Sequence, residues 1–240
     1  MLEPVNALLI SGTDTEVGKT VVTTALAAYW KIYCTPKTFG ILKPIQTGIG
    51  DREFYSRYLS LNQSLDEINP LHYHQPIAPP LAAELEGKRV ELEKAWHIFE
   101  RLYHTKDWVL VEGVGGLGTP LTHETTMADL AWDWRLPTVL VAPVRLGAVG
   151  QVVANVALAR QCRVHLKGII LNCHEPRTTE QIQKWAPPHL IQSLSHIPVL
   201  GCLPHIPDPT DLTKLAQLAA ELDLNQIMPL EFTPVPGVNP

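Results

Sequence analysis

Short apolar runs rich in β-branched residues recur along the chain: NALLIS (6–11), FGILKP (39–44), WVLVEG (108–113), TVLVAP (138–143), KGIILN (167–172) and PVLGCLP (198–204). Most are apolar on both faces, the pattern of parallel strands covered by helices on each side. Helical stretches lie between them at 18–32, about 91–104, 148–162 and 210–223. This alternation predicts an α/β fold, doubly wound, with a mainly parallel sheet flanked by helices. Residues 43–90 form a long, partly helical excursion expected to decorate the binding edge of the sheet. No repeat or linker divides the chain, so residues 1–223 read as one α/β domain. The last stretch, MPLEFTPVPGVNP, is proline-rich without periodicity, and 224–240 is expected to be a poorly ordered tail.

The first strand–helix junction carries candidate chemistry. Residues 8–30 read LLISGTDTEVGKTVVTTALAAYW, an apolar strand, a polar turn ending in Gly-Lys-Thr, and a helix. Such a turn lets backbone N–H groups converge on phosphate oxygens, with the positive end of the helix dipole behind them. Lys19 is placed to reach the β- and γ-phosphates and Thr20 to offer its hydroxyl to Mg²⁺. The fold expected is therefore P-loop NTPase-like. Five residues, Thr13 to Val17, separate Gly12 from Gly18, one more than the usual loop allows. The wider loop brings Glu16 to where its charge faces a nucleotide, or leaves it as a solvated acid.

Composition narrows the partners. The net charge is -5 and no Lys/Arg cluster stands out, which argues against nucleic acid. No apolar run approaches the ~18 residues of a membrane span. The four cysteines form no C-x-x-C pair and the N-terminus has no signal-peptide pattern, so they read as reduced thiols of a cytoplasmic protein. His72 and His74 could chelate a metal, but no third ligand is evident nearby and they read as loop residues.

Other polar residues sit at strand ends. Glu112 follows four apolar residues and suits an acid that holds Mg²⁺, a cation that prefers hard oxygen ligands. Asp51, in a GDREF turn, is either a further ligand or a helix N-cap. Lys43, held extended by Pro44, points over the sheet edge at phosphates or lies on the surface. Gly113, Gly115 and Gly116 allow close approach of backbone to a ligand. Gly147 and Gly150 flank a helix start that binds a carboxylate or is a plain turn.

Taken in order, GTDTEVGKT, LKPIQTG (42–48), LVEGVGG (110–116), PVRLGAVGQ (143–151), LNCHEP (171–176) and LGCLPHIP (200–207) resemble the motifs of the dethiobiotin synthases. The resemblance runs from about residue 6 to 222. It implies an ATP-dependent cyclo-ligase of biotin biosynthesis, acting on 7,8-diaminononanoate and CO₂ through a carbamate and a carbamic–phosphoric anhydride. It further implies a homodimer with a shared substrate site. Carried over position by position, it makes Lys19 and Lys43 catalytic and gives Mg²⁺ the ligands Thr20, Asp51 and Glu112. The nucleotide would be met by Glu16, Val17, Gly18, Lys19, Thr20, Val21, Asp51, Glu112, Gly113, Val114 and Gly115. Its base and ribose would be met by Asn172, Cys173, Pro204, His205, Ile206 and Asp211. The diamine would be met by Thr47, Gly147, Ala148, Val149 and Gly150. Departures from the family pattern are Arg145, Cys173, the His205-Ile206-Pro207 loop and Asp211, all on the base and ribose side. A P-loop ATPase switch of the chromosome-partitioning kind is the alternative. Those proteins carry a lysine early in the loop, where this chain reads Ser11-Gly12-Thr13-Asp14.

Overall fold

The computed structural model describes residues 6–229. Six strands, β1 (Ala7–Gly12), β2 (Phe39–Leu42), β5 (Trp108–Gly116), β6 (Thr138–Pro143), β7 (Leu166–Asn172) and β8 (Val199–Leu203), form one sheet in the order β2-β5-β1-β6-β7-β8. Every pairing in it is parallel. These are the six apolar runs of the sequence, and β5 runs on through its glycines to Gly116.

Successive side chains of a strand point to opposite faces, and the two cores follow that period. Leu8 and Ile10 join Trp108, Leu110, Val139 and Val141 on one face. Ala7 and Leu9 join Val109, Val111, Leu140 and Ala142 on the other. The first face is covered by α1 (Lys19–Tyr33) and α10 (Leu212–Ala219). Ala25, Leu26, Ala27 and Ala28 of α1 are all buried, because α10 packs on it as the sheet does. Trp30 and Trp108 meet there with ring centroids 4.9 Å apart, a contact adding about 0.5–1.5 kcal/mol beyond burial. The second face is covered by α5 (Leu92–Thr105), α6 (Met127–Asp133) and α7 (Ala148–Gln161), with α9 (Pro188–Ser195) packed on α7; α8 (Thr179–Trp185) precedes it.

The excursion 43–90 holds β3 (Ile45–Thr47), α2 (Asp51–Tyr58), α3 (Leu65–Ile68), β4 (Leu71–Tyr73) and α4 (Pro79–Leu85), with β3 and β4 paired as a small parallel sheet. Residues 224–229 do not fit the expected poorly ordered tail. Leu224–Ile227 is a short helix, α11, and Ile227 and Met228 are buried against the core of α1 and α10. Residues 230–240 of that reading lie outside the described residues. Among the described residues no helix is long and apolar enough to cross a membrane.

All six central strands run the same way, so the segments after β1, β2, β5 and β7 emerge at one edge. Strand order reverses direction about β1, and in such sheets ligands bind at the carboxyl ends of the strands, at that switch point.

Candidate active site

The loop after β1 folds tightly on itself. A Cβ on Gly12 would lie 2.6 Å from Val17 Cγ2 and 2.7 Å from the Asp14 carbonyl oxygen. Thr13 N–H donates to Val141 O on β6 at 2.9 Å, and Asn155 Nδ2 on α7 donates to Thr13 O at 3.2 Å. Val17 turns its side chain into the apolar core, while Thr15 and Glu16 stay exposed. Glu16 adopts φ 53°, which accommodates the additional residue. Gly18, at φ 92°, is the N-cap of α1. Lys19 lies under the loop with its Nζ donating to Asp14 O at 3.0 Å. Burial pushes its ammonium down to about 8; Lys43 adds to the shift, and Glu112 and Asp51 oppose it.

Beneath the loop, Thr20 Oγ1 is 3.2 Å from Asp51 Oδ1 and 3.1 Å from Glu112 Oε1. Lys43 Nζ donates to the same Glu112 Oε1 at 2.6 Å and to Asp51 Oδ2. Glu112, at the end of β5, is 0% exposed and Lys43 4%. Burial alone would lower the Lys43 pKa, but Glu112 and Asp51 raise it overall, so the ammonium is held charged. The backbone fixes this lysine as well: its N–H donates to Ile68 O at 2.7 Å, and Asn69 Nδ2 donates to its carbonyl at 2.7 Å. Of the alternatives left by the sequence, the surface reading of Lys43 and the cap reading of Asp51 do not hold. Lys43 is not a surface residue. Asp51 is not the helix cap, since the N-cap of α2 is Gly50 and Gln46 Oε1 accepts from Arg52 N–H at 3.0 Å.

These groups line a cleft of about 1000 Å³ that also takes in Glu16, Gly18, Thr47, Val114 and Gly115. Gly115 has φ 59°, and a Cβ there would lie 2.1 Å from Thr119 Oγ1. Asn172, at the end of β7, donates from Nδ2 to Val17 O at 3.1 Å. Cys173 is buried with its Sγ 3.7 Å from Cys202 Sγ, and its N–H donates to Leu203 O at 2.9 Å, which leaves only its carbonyl to meet a ligand. The other residues expected on the base and ribose side, Pro204, His205, Ile206 and Asp211, follow β8, whose Leu203 pairs with Asn172. Asp211 Oδ1 accepts from Lys214 N–H at 2.9 Å and caps α10. Val21 and Gly113 flank the cleft without lining it: Val21 packs against the α1 core, and a Cβ on Gly113 would meet Met127 Sδ at 3.2 Å.

The segment Gly147, Ala148, Val149, Gly150 does not line the cleft. Gly147 caps α7 at φ 89°, Ala148 is buried, and Gly147 and Gly150 face open space. Leu146 beside them is 85% exposed. On α7, Val152 and Val156 belong to the core, whereas Ala154 and Ala157 are exposed.

Sequence reasoning passed over Tyr55 and His174 and set His74 aside as a loop residue. Tyr55 is buried and its hydroxyl donates to Glu112 Oε2; burial first, then Glu112, raises its pKa well above the usual phenol, so the donor stays protonated. It lies four residues after Asp51, and that helical spacing was the available signal. His74 and His174 both line the cleft. His72 does not join them as a chelator, because its Nε2 pairs with Gly48 O at 2.8 Å. A second cavity of about 630 Å³, walled by Trp96, Phe99, Trp132 and Trp134, lies at the opposite edge beside Pro137 and His165.

A hydroxyl and two carboxylates meeting over 3.1–3.2 Å are hard oxygen donors suited to a divalent cation. Among the described residues no cluster of three His, Cys, Asp or Glu offers another metal site. The arrangement as a whole is a phosphate loop with two ammonium groups and an oxygen donor set on one wall, equipped for phosphoryl transfer.

Comparison with known proteins agrees. A family model described as an AAA domain matches residues 6–213. The ATP-dependent dethiobiotin synthetase BioD of Gloeothece citriformis is 53% identical over 224 residues, 93% of this chain and 99% of that protein. The synthetase of the same name from Crocosphaera subtropica is 53% identical over 92% of this chain and 98% of its own length. Among solved structures, the septum site-determining protein MinD complexed with Mg-ADP from Pyrococcus horikoshii superposes with a TM-score of 0.58 at 17% identity, covering 90% of this chain and 93% of that one. That likeness speaks to the fold alone.

Proposed function

The chain belongs to the ATP-dependent dethiobiotin synthetases, enzymes of ATP-dependent ring closure in biotin biosynthesis, and from that premise we propose how its residues divide the work. The observation that carries the reading is the meeting of Thr20, Asp51 and Glu112 beneath the phosphate loop with Lys19 and Lys43 beside them. The substrates are ATP, CO₂ and 7,8-diaminononanoate. One amine and CO₂ give a carbamate. Its oxygen takes the γ-phosphoryl group, and the second amine closes the ring and expels phosphate.

Phosphoryl transfer draws on positioning and positive charge more than on covalent help. Lys19 supplies charge to the β- and γ-phosphates, and Lys43 holds the carbamate anion for attack. Thr20, Asp51 and Glu112 would hold Mg²⁺, which when bound would neutralise phosphate charge. Thr47, half-buried in the cleft, hydrogen-bonds the bound amine or carbamate. The two lysines also disfavour a protonated diamine, keeping it nucleophilic. Gly18, Val17, Val21, Glu16 and the run Gly113, Val114, Gly115 border the nucleotide. Asn172 has committed its amide nitrogen to Val17 O, which leaves its oxygen as an acceptor for an adenine amino group. Pro204, His205, Ile206, Asp211 and the Cys173 backbone close the base and ribose side.

The working unit is a homodimer. Leu146 is exposed at the start of α7, and Ala154 and Ala157 present a small apolar surface along it. That surface suits a second copy, whose Gly147–Gly150 segment would offer N–H groups to the substrate carboxylate. Four free thiols fit a reducing cytoplasm. Incubation with the diamine, labelled bicarbonate, ATP and Mg²⁺ should give a labelled cyclic urea by mass spectrometry. ATP hydrolysis without that product would defeat the assignment.

A further inference from the structure

Glu112 reaches the site with both carboxylate oxygens in use. Oε1 faces Thr20 Oγ1 at 3.1 Å and Lys43 Nζ at 2.6 Å. Oε2 points the other way and accepts from the Tyr55 hydroxyl. Glutamate and phenol are both 0% exposed, so no water replaces either partner. A carboxylate with one oxygen committed to a buried donor cannot spin about its terminal bond, and the oxygen presented to a cation is then always the same one.

Tyr55 comes from α2, the helix that Asp51 opens. Residues four apart stand on one face, about 6 Å apart along the axis. Docking of α2 therefore delivers one oxygen donor and the group that aims the other. The helix is fastened at its start by Gln46, which is buried and accepts from Arg52 N–H at 3.0 Å. At its end, Leu59 N–H bonds Tyr55 O at 3.1 Å and the Leu59 side chain is buried.

We infer that Tyr55 is a positioning residue for the metal–nucleotide site, acting through Glu112 by holding its Oε2 so that Oε1 alone is offered to the cation. This rests on the reading of Thr20, Asp51 and Glu112 as metal-holding residues. Loss of an outer hydrogen-bond partner of a ligand costs roughly 10–100-fold in metal affinity.

The experiment is a titration of the full chain with Mn²⁺ in the presence of ADP, followed by the electron paramagnetic resonance of free Mn²⁺. ADP binding without metal is measured alongside by calorimetry. Tyr55→Phe should weaken Mn²⁺ binding about 10-fold or more and leave metal-free ADP binding within about two-fold. A residue that merely packs α2 would change thermal stability without this split. Glu112→Gln should weaken Mn²⁺ on its own, and the double variant should be no weaker than Glu112→Gln, since Tyr55 then has nothing left to aim. Losses that multiply in the double variant would overturn the inference, as would Mn²⁺ affinity of Tyr55→Phe within two-fold of the parent. If Glu112→Gln itself binds Mn²⁺ normally, the metal reading fails and the inference with it; if only Tyr55→Phe is normal, the inference alone fails. Tyr55→Leu, which also removes the donor, takes the place of Tyr55→Phe should that chain not fold.

Discussion

A Cβ on Gly18 would lie 1.9 Å from Asn172 Nδ2, the same nitrogen that donates to Val17 O at 3.1 Å. Loop and β7 are thus in direct contact through a residue without a side chain, at φ 92° where other residues are strained. Gly18→Ala should lower stability by about 1–3 kcal/mol from backbone strain and push Asn172 off the loop. Nucleotide affinity should fall at least ten-fold by calorimetry. Unchanged affinity would show that the loop tolerates separation from β7.

Lys19 gives a pH signature. Its ammonium titrates near 8 in the folded chain, pushed down chiefly by burial, whereas an unfolded lysine holds its proton to about 10.4. Between those values the unfolded chain binds more protons, so this residue makes stability rise with pH through that window; below about 8 the buried charge costs stability. Bound phosphate restores the charge. ATP binding above pH 8 should therefore take up a proton, read from calorimetry in buffers of different ionisation heat. Lys19→Ala should abolish the uptake and lower turnover ~10³-fold or more. Equal uptake in the variant would assign the proton elsewhere.

Lys43→Ala should separate chemistry from binding. The variant should retain most of its ATP affinity and lose ring closure. It also leaves Glu112 buried without its cation, a change that costs about 3–5 kcal/mol in comparable buried pairs. The melting temperature should drop and recover in part with Mg²⁺ and ADP. A variant that binds ATP poorly but turns over normally at saturation would remove Lys43 from the reacting centre.

Leu146→Asp should split the proposed dimer. The side chain is 85% exposed in the single chain, so folding should be untouched. Sedimentation should show a monomer, and KM for the diamine should rise while metal-free ADP binding persists. A monomer with normal KM would place both ends of the substrate on one chain.

The sheet was legible because its strands are buried on both faces and read as apolar runs at the right spacing. The phosphate loop was legible because Gly18-Lys19-Thr20 must follow a strand and precede a helix. Asp51 and Lys43 were ambiguous because their meaning depends on partners distant in sequence: Lys43 meets Glu112 across 69 positions. Tyr55 was overlooked for the same reason, since a tyrosine on an amphipathic helix looks like packing until the carboxylate beside it is known. The small strands β3 and β4 were missed because three residues carry no measurable period. The helix at Leu224–Ile227 was missed because four residues are too short to show one.

Asn155 ties the loop backbone to α7 at Thr13 O. The same helix turns Ala154 and Ala157 outward, toward the surface assigned to a second copy. If two copies pair through that surface as proposed, assembly and the phosphate loop share a spine one side chain thick. On that reading, substitutions on α7 chosen to change oligomeric state would register in the kinetics of ATP, and variants of this helix must be scored for both before either effect is ascribed to them.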